Sequence, residues 1–232
     1  VRIRDACGSK MKIIVQISLD GVNDVHDKIR GIPGGFHKVQ TAVGLLQNTF
    51  SESDNVEIHH LCVLQPENLD HLDEIKQYFD SLTIPVTYNM VCDASYLEID
   101  PDTHPILDQG MKEKIMGFYQ RLIGDPRLDP RHKYHYTEFL GWLKSGHRIK
   151  PCGMLTQHIL VDHRGQISPC MNPGDHTYPV IGDKLSVDTL WKSAQRKQIN
   201  ATIKRDVCPG CTAACGPNTF DAILALVRQK FN

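Results

Sequence analysis

The sequence predicts an α/β protein in three segments. A parallel βαβαβ unit fills residues 1–100, a helical connector 101–150, and a small α+β domain 151–232. Three observations carry that expectation. Extended β-rich runs alternate with amphipathic helical periodicity in the first hundred residues. The next fifty residues are helical in pattern and show no strand. Five of the eight cysteines in the 232-residue chain then fall from residue 152 onward, among short extended runs and Gly/Pro-rich turns.

Taken in order, the run from Met11 to Leu19 is rich in β-branched residues and nearly apolar on both faces, as a buried parallel strand requires. It stops at Asp20-Gly21. A helix is expected after Gly34-Gly35, because Phe36, Val39, Val43, Leu46 and Phe50 recur at helical spacing. Val56 to Leu64 reads as a second strand. Asn68 is placed to cap a second helix with the apolar face Leu69, Leu72, Ile75, Phe79 and Leu82. Pro85 to Val91 is the third strand.

Beyond Asp100, Ile115, Phe118, Tyr119 and Leu122 mark one helix and Phe139, Leu140 and Leu143 another, separated by a break from Pro126 to Pro130. His158 to Cys170 reads as a short hairpin turning near Gly165. A single helix is expected from Leu185 to Ile203, containing Leu190, Trp191, Ala194 and Ile199. A final amphipathic helix is expected from Pro217 to Phe231, with Phe220, Ile223, Leu224 and Val227.

Composition excludes some functions. With 26 Lys+Arg against 27 Asp+Glu the net charge is -1, so no basic field rewards a phosphate backbone and nucleic acid is not an expected partner. No apolar run approaches the roughly 20 residues of a membrane span, so no membrane partner is expected. The chain opens on Val1 rather than Met and carries no leader pattern. The expectation is that sequence precedes it.

About 150 residues of ordinary core-forming sequence come before the cysteine cluster, which is unlike a small secreted disulfide scaffold and implies a reducing, cytoplasmic compartment. The cluster itself points to metal. Cys208-Pro-Gly-Cys211 alone is a weak signal, shared by zinc ribbons, redox pairs and iron–sulfur proteins. Its companions are more informative: Cys152 is followed by twelve residues, Gly165, four residues and Cys170. A hairpin would bring those two thiolates together. With Cys208 and Cys211 they make four thiolates from separate segments, the number that a cubane cluster or a structural zinc needs. Cys215 is a fifth candidate, either an alternate ligand or a bystander. Cys62 and Cys92, on or at the end of strands, are expected in the core, and Cys7 is left unassigned. The twelve histidines receive no metal role, since His59 and His60 would face opposite sides of a strand and the rest are scattered.

Ile17-Ser18-Leu19-Asp20-Gly21, His26-Asp27 and Arg30-Gly31 resemble the fourth barrel strand and following loop of radical S-adenosylmethionine (SAM) enzymes. The C-terminal part resembles their SPASM/twitch extension. The likeness there lies in the Cys152, Gly165, Cys170 spacing, the Ile181-Gly182-Asp183 turn before a helix bearing Trp191, and the closing Cys208/Cys211 pair. The resemblance implies that the first hundred residues are the C-terminal half of a partial (β/α)6 barrel. It implies that residues from about 151 onward hold an auxiliary 4Fe-4S cluster through Cys152, Cys170, Cys208 and Cys211. It also implies SAM as cofactor, met by Ser18 and Arg30 at its methionyl carboxylate or ribose. The plainer alternative for those two is a strand-end cap and a surface arginine near Asp27. Asp20 is expected to shape the turn with Gly21.

Such an enzyme generates a 5'-deoxyadenosyl radical that takes hydrogen from a peptide or small-molecule substrate, and it draws electrons from a reductant such as flavodoxin or ferredoxin. The chain also departs from the family. No three cysteines are spaced by three and then two residues, the motif that holds the catalytic cluster; Cys208, Cys211 and Cys215 have the reverse spacing. Either that motif, with the second 4Fe-4S cluster, lies in a missing N-terminal part, or the chain is a relative that kept only the auxiliary cluster. A non-catalytic iron–sulfur or zinc module is the rival reading.

Overall fold

The computed structural model of the chain describes residues 12–53, 55–91, 107–148, 152–161, 166–171, 178 and 187–211. The described residues cluster into two compact units, one drawn from Val1–Val91 with Leu107–Ile115 and the other from Cys92–Ile106 with Met116–Asn232. No helix among the described residues is long and apolar enough to cross a membrane.

In the first unit the order is β1 (Ile13–Ser18), α1 (Asp24–Arg30), α2 (Gly35–Thr49), β2 (Val56–Leu64), a 3-10 turn at Pro66–His71, α3 (Leu72–Asp80) and β3 (Val86–Met90). The strands form one parallel sheet in the order β1-β2-β3. The expected parallel unit is therefore present, with α1 an addition in the loop after β1. Paired positions share a face: Cys62 with Tyr88 and Leu64 with Met90 are all buried and carry the core. Phe79 of α3 stands over this face, its ring 5.3 Å from that of His60 and 5.9 Å from that of Tyr88. The opposite face carries Ile14/Glu57, Gln16/His59 and Ser18/Leu61.

Two expectations need correction here. β1 is not buried on both faces: it is an outer strand of the described sheet, its burial alternates along its length, and Ile14 is 53% exposed. An apolar run cannot distinguish a two-faced strand from one that awaits a neighbour. Asn68 does not cap α3, whose N-cap is His71. It sits inside the 3-10 turn, fully buried, and accepts a hydrogen bond from the Gln65 N–H at 3.0 Å. A buried polar group of this kind must find partners, and its amide finds them in the strand ends, as described below.

In the second unit, α4 (Gln109–Gly124) continues from the first, and α5 (Pro130–Ser145) packs on it. Tyr119 stacks on Tyr136 at 5.2 Å and on Phe139 at 5.6 Å. The break between them works as the sequence suggests, with Asp129 accepting from the Arg131 N–H and Pro130 in the first turn. A short α6 (Met154–Gln157) leads into an antiparallel pair, β4 (Leu160–Val161) and β5 (Ile167–Ser168), so the expected hairpin strands pair. The single helix expected from 185 to 203 is two, α7 (Val187–Lys192) and α8 (Ala194–Asp206). Ser193 interrupts them: its backbone is extended and its hydroxyl accepts from the Arg196 N–H, which makes it the N-cap of α8. The helix expected from 217 to 231, the 181–183 turn, Cys7, Cys92 and Cys215 lie outside the described residues.

Candidate functional site

Two places carry the residues that the sequence singles out. The first is the carboxyl end of the parallel sheet, where α/β architectures collect ligands. Ser18 ends β1 on the half-exposed face. Two residues on, Asp20 is 2% exposed and every polar group on it is engaged. Its N–H donates to His26 Nδ1 at 3.1 Å, its Oδ1 accepts from the Val63 N–H at 2.9 Å, and its Oδ2 meets the Arg30 guanidinium at 2.5 Å. Asn68 Nδ2 donates to both the Asp20 and Val63 carbonyls at 2.8 Å. The ends of β1 and β2 are thus laced together, and the same carboxylate that laces them holds Arg30.

Arg30 therefore leans on Asp20 rather than on Asp27, and with 39% of its side chain exposed it has room for a second anion. Asp27 has another job. Its carboxylate accepts from the Gly34 N–H at 2.5 Å and the Phe36 N–H at 2.7 Å, closing the N-terminus of α2, and those backbone bonds hold its pKa below the ordinary carboxylate value. Burial lowers the pKa of His26, so its ring is an acceptor for the Asp20 N–H. Cys62 lies under the pair, and burial, with the Asp20 charge, pushes its thiol well up; this is the inert core cysteine expected. Gly21 is required at the turn, because a Cβ there would stand 2.6 Å from Val25 Cγ1 and 2.8 Å from the His26 nitrogen. Asp20 as hub and Asn68 as lace were missed; a carboxylate directly after a strand with an arginine ten residues on was the available signal.

The second place is in the other unit. Cys152, Cys170 and Cys208, from three segments remote in sequence, pack on one apolar cluster of Met154, Leu155 and Ile203. All of these thiols, and Cys211, are outside disulfides. Cys208 has its pKa raised, first by burial and then by the neighbouring Cys152 and Cys211, against the pull of Arg148 and Lys204. Arg148 clasps the loop: its N–H donates to the Pro209 carbonyl at 2.9 Å, and Nη2 stands 3.9 Å from Cys211 Sγ. The Met154 N–H donates to Cys152 Sγ at 3.4 Å. Among the described residues no three His, Cys, Asp or Glu side chains stand close enough to hold a single metal ion. A cubane asks for something else, thiolates spread around a core and deprotonated by the iron. The donor set, reduced thiols on three segments about one apolar centre, fits that demand in kind.

The frame around the thiols is polar and specific. Arg196 lies over the Trp191 ring at 3.7 Å and donates to the Trp191 and Leu155 carbonyls at 3.1 and 2.9 Å. Asn200 Nδ2 donates to the same Leu155 carbonyl at 2.8 Å, and its Oδ1 accepts from the Tyr178 hydroxyl at 2.5 Å. Trp191, which the sequence singled out, thus orients the helix that carries the Cys208 loop.

No known family profile matches the chain, and no curated protein matches it in sequence. Its fold matches solved structures of anSMEcpe. Against that protein with bound AdoMet and the peptide Cp18Cys, the TM-score is 0.59 at 19% identity, over 96% of this chain and 68% of the other. With AdoMet and the peptide Kp18Cys the TM-score is 0.58, again at 19% identity over 96% and 68%. With AdoMet alone it is 0.57 at 18% identity, over 95% and 66%. At such identities the likeness is one of fold.

Proposed function

We propose that the chain is the SAM-pocket half and auxiliary-cluster domain of a radical SAM iron–sulfur enzyme. Cys152, Cys170, Cys208 and Cys211 would hold a 4Fe-4S cluster, with Cys215 a reserve ligand. Ser18 and Arg30 would meet SAM. The observation that carries this reading is the gathering of three remote cysteine segments about Ile203, in a chain whose fold is that of a protein solved with AdoMet bound. The clusters and SAM together supply a 5'-deoxyadenosyl radical that abstracts hydrogen. The chain's own residues bind and orient. Arg30, fixed by Asp20 at one edge, offers its remaining N–H groups to a carboxylate or ribose, and Ser18 adds a hydroxyl at the strand end. A peptide substrate fits the reading, since two of the matched structures carry peptides, and a flavodoxin- or ferredoxin-type reductant completes it.

Anaerobic reconstitution with iron and sulfide tests the assignment. The expected product has about four irons and four sulfides and a broad band near ~400 nm, lost or made labile by Cys152→Ala or Cys170→Ala. Stoichiometric zinc with no iron uptake would refute it. A second reading has one observation in its favour. The chain contains no cysteine triad spaced by three and two residues, so a non-catalytic iron–sulfur module remains the rival.

A further inference from the structure

The loop that bears Cys208 and Cys211 has an arginine built against it from another element of the same unit. Helix α5 stops at Gly146, whose left-handed conformation (φ 73°) turns the chain out of the helix. Arg148 follows that turn and meets the loop twice. Its main-chain N–H donates to the Pro209 carbonyl at 2.9 Å, and its Nη2 reaches to 3.9 Å from Cys211 Sγ. The loop is itself closed by the Cys211 N–H, which donates to the Cys208 carbonyl at 3.2 Å. Arg148 is half-buried and its Nε is buried, so water screens this charge less than it screens one on the surface.

The charge is felt beyond Cys211. It opposes the rise in the Cys208 pKa, so its field spans both thiols of the loop. It also helps to lower the pKa of His135 on α5. Two other charged side chains stand close in sequence. Lys204 acts on Cys208 in the same sense as Arg148, but from an exposed position. Asp206 is an acid that would work against both, and it is paired with Arg205 at 2.6 Å.

We propose that Arg148 tunes the cluster of Cys152, Cys170, Cys208 and Cys211, raising its reduction potential by holding a guanidinium against the Cys211 sulfur. This role rests on the cluster reading given above. A cubane with four thiolates is an anion, and its one-electron reduction adds a further negative charge without forming or breaking a bond. A fixed cation beside a ligand sulfur therefore favours the reduced form over the oxidised one, and an N–H directed at the sulfur acts in the same sense. The effect is separable from folding. Because the tie to Pro209 is made by the main chain, a substitution at Arg148 removes the guanidinium and leaves the loop anchored.

The test is a redox titration of the reconstituted 232-residue chain, with dithionite as reductant, followed by the EPR signal of the reduced cluster. Arg148→Gln should hold the electron about tenfold less tightly, which lowers the midpoint potential by about 59 mV for a one-electron couple. Arg148→Lys keeps the charge and should recover most of that shift. Lys204→Gln, at an exposed site, should give roughly half of it or less. A second measurement decides the question if Arg148→Gln does not fold or load iron. With arginine isotope-labelled at the guanidinium, the unaltered chain should show a hyperfine coupling between the cluster spin and the label, and Arg148→Lys should lose it. Failure of the unaltered chain to take up iron refutes the cluster reading and this role with it. With the cluster assembled, an unchanged potential in Arg148→Gln, an equal shift in Lys204→Gln or no coupling to the label overturns the role of Arg148 and leaves the cluster reading standing.

Discussion

Asp20 shows how much one residue can be asked to do when it sits just beyond a strand end. Its carboxylate binds the next strand through the Val63 N–H and the candidate cofactor residue through Arg30. The two duties are separable. Asp20→Ala should cost about 2–3 kcal/mol, the range of a lost hydrogen bond to a charged group whose Arg30 partner can return to water. Asp20→Asn keeps an acceptor for Val63 and should lose about half as much, by urea unfolding. Equal losses in the two variants would place the whole effect on the ion pair. Histidine supplies the second residue-scale prediction. Burial, with His132 and Arg148 adding to it, lowers the pKa of His135 from 6.5 to about 4. The unfolded chain then binds a proton that the folded chain refuses. The stability at stake is complete above pH 6.5 and is lost as pH falls toward 4, about 3 kcal/mol in all. His26 and His60 shift in the same direction. His135→Leu should flatten the slope of unfolding free energy between those pH values, and an unchanged slope would show that other groups set it.

Among the elements, the break at Ser193 matters most, because the helix it starts ends at the Cys208 loop. The Ser193 hydroxyl accepts from the Arg196 N–H at 3.0 Å and donates to the Leu190 carbonyl at 2.8 Å, joining the end of α7 to the start of α8. Ser193→Ala should cost about 1 kcal/mol, as lost N-caps do. It should also shorten the protected part of α8 in hydrogen exchange; protection unchanged from Arg196 onward would contradict that. The apolar spacing of Leu190, Ala194 and Ile199 gave no hint of the break, since helical periodicity runs through a one-residue interruption. The serine itself was the legible mark. The three strands and the α4/α5 pair were plain in the sequence because long periodic patterns dominate local choices. What sequence concealed was partnership across distance: Asn68 reads as a cap because its true partners, the Asp20 and Val63 carbonyls, lie in strands that only the fold brings near.

For the molecule as a whole, the thiol segments are candidates that residue type and spacing single out, and Ser18 and Arg30 are candidates that only the family resemblance singles out. Their surroundings, Asp20 beneath Arg30 and Arg148 over the Cys208 loop, could not, because a charge pair chooses its geometry after the backbone is set. The functional consequence turns on what this chain can hold. A site that cleaves SAM needs an iron with an open position, and four thiolates on four irons leave none. Cys152, Cys170, Cys208 and Cys211 would complete one cluster, and the 232 residues contain no triad spaced for a second. The 232-residue chain, reconstituted and reduced with dithionite, should therefore release no 5'-deoxyadenosine from SAM, although Arg30 and Ser18, in the proposed role, would leave it a weak affinity that Arg30→Ala reduces. A longer chain that adds such a triad should release it. Stoichiometric 5'-deoxyadenosine from the 232 residues alone would mean that one of the four thiolates is not a ligand, and Cys152→Ala, Cys170→Ala, Cys208→Ala and Cys211→Ala, each assayed for retained cleavage, would show which.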